Sequence, residues 1–150
     1  MEENFTTEDL KYIEIGKLLC DLSDDLKKGV STLIVKDDNI ISHGVNELPY
    51  GAEKTNERCT KPGKDFWMLH SERNAIYKAS RSGISLVGAK MYCTYFPCSD
   101  CARAIIQSGI KTLYSPKPDF NHHKWGETWV ESAIMLKECG VNIVWTNKNI

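Results

Sequence analysis

The amino-acid sequence predicts an α/β fold in which helices cover a partly parallel sheet. Three observations lead there. After residue 69, strand-like and helix-like segments alternate, the pattern of a sheet layered with helices. Upstream, two β-rich runs flank a short polar turn, which reads as a hairpin. Gly29, Gly83, Gly109 and Gly140 each follow a helical stretch, where helices commonly stop.

Taken in order, Thr6 or Thr7 caps a first helix, and Leu10, Ile13, Lys17, Leu18 and Cys20 carry a loose helical spacing to about Lys28. The hairpin pairs 31–35 with 40–45 around the polar residues 36–39. Residues 46–67 are rich in Pro, Gly and charge, and a loop of that length inside a domain is usually functional or mobile. A helix from His70 places Ala75, Ile76 and Ala79 on one face. A strand over 89–95 leads through Pro97 into a helix over 98–108 with Ala102, Ile105 and Ile106 apolar. A short strand over 111–115, a helix over 125–139 carrying Trp129, Ala133 and Leu136, and a last strand over 141–145 complete the chain.

The 150 residues fit one domain, 1–150, large enough to bury a core without disulfide staples. The formal net charge of −1, with Lys and Arg spread among Asp and Glu, points to a small-molecule substrate and away from nucleic acid, whose binders usually show a basic face. No apolar run approaches the ~20 residues of a membrane helix. The acidic, polar start from Met1 to Asp9 is the opposite of a secretory signal. Both features place the protein in the cytoplasm, so its six cysteines are expected as thiols or metal ligands.

The chemistry concentrates in two segments, His70-Ser71-Glu72 and Pro97-Cys98-Ser99-Asp100-Cys101. One imidazole and two thiolates form a soft ligand set suited to Zn²⁺. Three protein ligands leave the fourth tetrahedral position for water, as catalytic rather than structural zinc sites do. Such a water can lose a proton near pH 7. Cys98 and Cys101 stand three apart at an expected helix start, and His70 opens its own helix, so two positive helix ends can converge on one metal. Glu72 is close to His70 yet surplus as a ligand, which suits a general acid/base. Positions i and i+2 point apart in an ideal helix, so Glu72 has to reach across from the first turn. Each residue alone reads more simply as a solvated helix residue or a buried thiol, and the combination carries the argument.

His-x-Glu followed by Pro-Cys-x-x-Cys is the signature of zinc nucleobase deaminases. The chain resembles the cytidine and deoxycytidylate deaminase superfamily, especially its bacterial and phage deoxycytidylate (dCMP) branch. His70-Ser71-Glu72-Arg73-Asn74-Ala75-Ile76 is similar to the first motif of that group. The run from Tyr95-Phe96-Pro97-Cys98 to Gln107-Ser108-Gly109-Ile110 resembles the second. Val45-Asn46-Glu47-Leu48-Pro49-Tyr50-Gly51 resembles its upstream loop, and Trp125-Gly126-Glu127 one bacterial branch. The resemblance covers about 30–145. It implies a three-layer α-β-α fold with a mixed five-stranded sheet, hydrolytic attack at C4 of cytosine with release of ammonia, conversion of dCMP to dUMP, and assembly as homo-dimers or hexamers. It also implies that Asn46 contacts the nucleotide, which suits an amide that both donates and accepts. Ser71 stands where Ala is usual. Glu47 replaces a Gly found in many allosterically regulated members, which puts triphosphate regulation in doubt.

Other residues carry weaker signals. Lys54, Arg58, Lys61 and Lys64 offer cations for a phosphate, against the reading of a solvated loop. Phe96 and Trp67 either stack on the base or pack in the core. Ser71, Asn46 and Phe96 are the expected substrate contacts. Cys59 with His43 lacks the companion spacing of a second metal site, and His122-His123 reads as a surface turn. Cys20, Cys93 and Cys139 lie in apolar patterns and read as core thiols. Deamination of guanine or of adenosine in tRNA stays open, as does a non-catalytic zinc-binding interaction module, although an intact Glu72 argues against the last.

Overall fold

The computed structural model describes residues 5–146. Its first helix, α1 (Thr7–Leu19), starts in a capping box in which Thr6 and Asp9 satisfy each other's backbone N–H groups. The helix is shorter than the sequence predicts. It tightens into a 3₁₀ turn at Cys20–Leu22 and then leaves helical geometry, well before Gly29. Side chains there compete for the backbone: Ser23 donates to the Asn46 carbonyl, and Asp25 accepts from the amides of Lys27 and Lys28. Tyr12, Ile13 and Gly16 form the buried face, while Leu18 is exposed.

The hairpin forms as expected from β1 (Ser31–Lys36) and β2 (Asn39–Val45), with Asp37 and Asp38 at positive φ in a two-residue turn. The long loop holds two short helices, α2 (Asn56–Cys59) and α3 (Lys64–Trp67). From there helices and strands alternate: α4 (Ser71–Arg81), β3 (Lys90–Cys93), α5 (Ser99–Gln107), β4 (Thr112–Pro116), α6 (Gly126–Glu138) and β5 (Asn142–Thr146). The sheet is mixed and five-stranded, in the order β2-β1-β3-β4-β5. β1 runs antiparallel to β2 and β3, while β3, β4 and β5 run parallel.

Alternation along the strands divides the core into two layers. Leu33, Val35, Tyr92, Tyr114 and Val144 face α1. Ile34, Met91 and Leu113 face α4, α5 and α6, against Ala75, Ala79, Ala102, Ile105, Trp129 and Leu136. The three-layer expectation therefore holds. Cys93 is a core thiol, Cys20 is half-buried, and Cys139 departs from expectation: it caps the solvent-facing end of α6 and is exposed. No helix among the described residues is long and apolar enough to cross a membrane.

Asp9 links α1 to the sheet. It is 4% exposed and accepts a 2.6 Å hydrogen bond from the Tyr92 hydroxyl. Burial alone would raise its pKa, but the hydrogen bonds from Tyr92 and Thr6 outweigh burial and hold it below the ordinary 3.8. A lowered carboxylate stabilises the fold above its unfolded-state pKa and loses that contribution as pH falls through the folded one. Asp9→Asn is therefore expected to cost about 2–3 kcal/mol at neutral pH, with the gap closing in denaturant titrations taken below pH 4.

α4 lies against the hairpin at one close approach. A Cβ on Gly44 would come 2.5 Å from the Ser71 carbonyl oxygen and 2.6 Å from the Ala75 nitrogen, both backbone atoms. The Ser42 hydroxyl donates to the Ala75 carbonyl beside it at 2.7 Å. Gly44→Ala is expected to lower stability by about 1–3 kcal/mol through overpacking. Because Ser71 follows His70, the same change should weaken zinc retention, read by a zinc-chelator competition titration.

Candidate active site

His70 and Cys98 occupy equivalent places. Each is the N-cap of its helix with extended backbone, ψ 146° and 170°, and neither side chain is spent on capping. Each carbonyl accepts the first helical hydrogen bond, from Asn74 and Ala102 respectively, both at 2.9 Å. The imidazole and thiol are thereby free to turn inward from two helix N-termini. Cys101, one turn into α5, is fully buried beside them.

His70 Nδ1 lies 3.6 Å from the Sγ of Cys98 and 3.6 Å from that of Cys101. Zinc bonds near 2.3 Å to sulfur and 2.0–2.1 Å to nitrogen, set tetrahedrally, separate those atoms by about 3.6 Å. The donor set therefore fits Zn²⁺ in both chemistry and spacing. Among the described residues these three form the only such group of His, Cys and carboxylate ligands. Cys59 is buried and His43 is exposed on β2, and the two do not form a second one.

The two thiols are shifted in opposite directions. The hydrogen bond from Cys101, opposed by burial and helped by His70, draws Cys98 down to about 4, and Cys101 is pushed up in turn. The hydrogen bond to Cys98 raises His70 despite burial. A metal ion would take the place of these protons, since it requires thiolates and a neutral imidazole.

Glu72 stands inside this cluster at 5% exposure, and burial raises its carboxyl above the ordinary 4.5. Its Oε2 is 3.5 Å from Cys101 Sγ and 3.5 Å from the Ser71 hydroxyl. The reach that the sequence left open has a simple origin. His70 is outside the helix, so the N-cap side chain and that of Glu72 are not opposed as two helical residues would be.

The surroundings hold α4 in place. Ser71 is buried and its hydroxyl meets Thr32 Oγ1 at 2.9 Å. Asn74 donates to the Val45 carbonyl and to Glu47, which is also ion-paired to Lys78 at 2.7 Å. Arg73 pairs with Asp100 at 3.3 Å and lies beside the Cys101 thiol. Burial works against its charge, but these partners outweigh it. Arg73, Asn74, Glu47 and Thr32 were not singled out for these roles in the sequence. Arg73 was the most accessible of them, as a cation next to a metal motif.

The expected substrate contacts divide. Ser71 is beside Glu72. Asn46 is buried, and its amide is filled by internal partners: Oδ1 accepts from Val30 N at 2.9 Å and from Ser23, and Nδ2 donates to the Lys28 carbonyl and to Asp25. Asn46 thereby ties the 23–30 loop to the end of β2. Phe96 is 3% exposed and packs on Trp145, with ring centroids 5.3 Å apart. Trp67 carries the Arg58 guanidinium 3.8 Å over its ring. His122 accepts from the amides of Lys124 and Trp125, capping the approach to α6.

Similarity to known proteins agrees with this geometry. The sequence model of the cytidine and deoxycytidylate deaminase zinc-binding region matches residues 6–116. An uncharacterised deaminase of Aliivibrio fischeri is 34% identical over 137 residues, covering 90% of each chain. The deoxycytidylate deaminase of enterobacteria phage T4 is 43% identical over 76 residues, covering 50% of this chain and 36% of the phage protein. The dCMP deaminase of cyanophage S-TIM5 superposes with a TM-score of 0.77 at 27% identity, over 95% of this chain and all of that one. With its mixed sheet, its His-Cys-Cys centre and a family match running through both motifs, the chain belongs to the zinc-dependent cytidine and deoxycytidylate deaminases.

Proposed function

We propose that the protein hydrolyses dCMP to dUMP and ammonia. The observation that carries the reaction type is Glu72, buried and unliganded beside three donors spaced for zinc. Zinc, when bound by His70, Cys98 and Cys101, supplies a Lewis acid that makes water acidic enough to ionise near neutral pH. Glu72 takes one proton of the attacking water and delivers it to the ring nitrogen N3, then carries the second, from the oxygen added at C4, to the leaving amine. Its burial excludes bulk water from that exchange. Arg73 balances the thiolate charge of Cys101, and Ser71 and Thr32 hold the start of α4.

The choice of dCMP rests on kinship. The cyanophage enzyme, also solved in complex with dCMP and dUMP, superposes on this chain with a TM-score of 0.76 at 26% identity. Asn46 serves this reading as the anchor of the 23–30 loop, and Phe96 as the packed support beneath Pro97 and Cys98. A cytoplasmic homo-oligomer of single-domain chains completes the proposal.

The deciding assay scores ammonia release by zinc-loaded protein from dCMP, dCTP, CMP, deoxycytidine, guanine and adenosine-containing RNA. dCMP should give the highest kcat/KM. No release from dCMP would overturn the reading.

A further inference from the structure

Helix α5 brings two of the three metal ligands, and its N-cap does not serve its own helix start. The first N–H groups of a helix lack intrahelical acceptors, and an N-cap side chain usually meets one of them. Cys98 is the N-cap of α5, yet its side chain makes no capping hydrogen bond. Its Sγ is turned instead toward His70, 3.6 Å from Nδ1. A sulfur spent on the helix start would be lost to the metal, so the cap has to come from another element.

Thr128 supplies it from α6. Its Oγ1 accepts from the Ser99 amide at 2.9 Å, and its hydroxyl donates to Ser99 Oγ at 2.9 Å. The next residue, Trp129, reaches the other side of Cys98. Its Nε1 donates to the Phe96 carbonyl at 3.1 Å in a buried hydrogen bond. Two consecutive residues of α6 therefore hold the backbone one position after Cys98 and two positions before it. Between Phe96 and Cys98 stands Pro97, fully buried, with a φ fixed by its ring. Cys98 is bracketed on both sides, and Cys101, one turn into α5, is carried with it.

The start of α6 is itself closely fixed. A Cβ on Gly126 would come 2.4 Å from the Phe120 carbonyl oxygen, so the chain passes there only as glycine. The Gly126 amide donates to the His122 carbonyl at 2.8 Å, and His122 Nδ1 accepts from the amides of Lys124 and Trp125, both at 3.1 Å. Trp129 is buried and meets the Tyr95 ring edge-on, with centroids 5.4 Å apart. The other metal-bearing helix follows the same plan. Ser71, next to the N-cap His70, is held by Thr32 of β1 through hydroxyls 2.9 Å apart. At each helix start a hydroxyl from a different element does the anchoring, and the N-cap side chain stays available to the metal.

We propose that Thr128 and Trp129 are positioning residues for the zinc ligand Cys98. Thr128 caps α5 in place of Cys98, and Trp129 fixes the chain that leads into it. Both act through the backbone beside Cys98 rather than on the metal. Partners that orient a ligand typically govern metal affinity by about 10–100-fold. The assignment rests on His70, Cys98 and Cys101 as the zinc ligands and is independent of dCMP as the substrate.

Metal binding by the full chain, with Zn²⁺ or Co²⁺ alone and no substrate, tests it. Thr128→Val keeps the shape of Thr128 and removes both of its hydrogen bonds to Ser99. It should weaken zinc in chelator competition about 10–100-fold. It should also alter the visible spectrum of bound Co²⁺, which reports the geometry of the ligands and the thiolate bonds. Thr128→Ser, which keeps the hydroxyl, should restore both properties. Trp129→Phe, which removes the Nε1 donor and keeps an aromatic ring, should weaken zinc likewise and decides the matter if Thr128→Val does not fold. Asp9→Asn destabilises the opposite side of the sheet and should change neither zinc affinity nor the cobalt spectrum. Wild-type zinc affinity and cobalt spectrum in Thr128→Val would overturn the assignment. So would a loss in Asp9→Asn equal to that in Thr128→Val, since metal binding would then only follow stability. These metal effects without ammonia release from dCMP would leave the positioning role standing and remove the substrate reading instead.

Discussion

Glu72→Gln should lower kcat by about 10²–10⁴-fold, the usual worth of a positioned general acid/base, while zinc content and thermal stability stay near wild type. Gln keeps the shape of Glu72 and can still meet Ser71, but it cannot take up and return a proton. The residue is 5% exposed, so bulk water and buffer cannot readily replace it. Parallel measurement of kcat on dCMP and of bound zinc by elemental analysis separates the roles. Loss of turnover with zinc retained identifies a proton carrier. Loss of zinc with the carboxylate would make Glu72 a ligand and would overturn the mechanism. A non-catalytic zinc module would show neither loss.

Cys101→Ala should abolish both zinc retention and activity. Cys101 is wholly buried, and its Sγ is 3.6 Å from His70 Nδ1 and 3.5 Å from Glu72. Without it two protein ligands remain, and Glu72 and Arg73 lose a buried partner. Zinc binding stabilises the folded state by mass action, about 4 kcal/mol at a thousandfold excess over Kd. For a chain of this size that is roughly 10 °C in Tm. Chelation of the wild type should therefore lower its Tm by about that amount, whereas Cys101→Ala should show a low Tm that chelator no longer changes. A chelator shift that survives the substitution would place the metal elsewhere.

The hairpin, three later helices and three later strands were legible because each is local: periodicity, β-branched runs and glycine stops mark them within about 15 residues. The first helix is shorter than its local pattern implies because Ser23 and Asp25 turn their side chains to partners around Asn46, a contact 20 or so positions away that no local pattern reveals. The same distance explains Asn46. Its amide suited a ligand by type, yet four internal partners from the 23–30 loop fill it. Phe96 beside the cysteines and Cys139 in an apolar pattern were ambiguous in the same way, since burial is set by what packs opposite.

His70, Glu72, Cys98 and Cys101 are candidates that the sequence alone picks out, because metal affinity and proton transfer depend first on which side-chain atoms are available, and motif spacing confines them to two helix starts. Only the tertiary structure decided that those two starts meet, that the N-cap position of His70 lets Glu72 share its side, and that Lys54, Arg58 and Lys64 are spent on internal partners. The physical reason is that charge pairing and repulsion act through space. Loops far apart in the chain acquire a common function only when the sheet brings their ends to one rim.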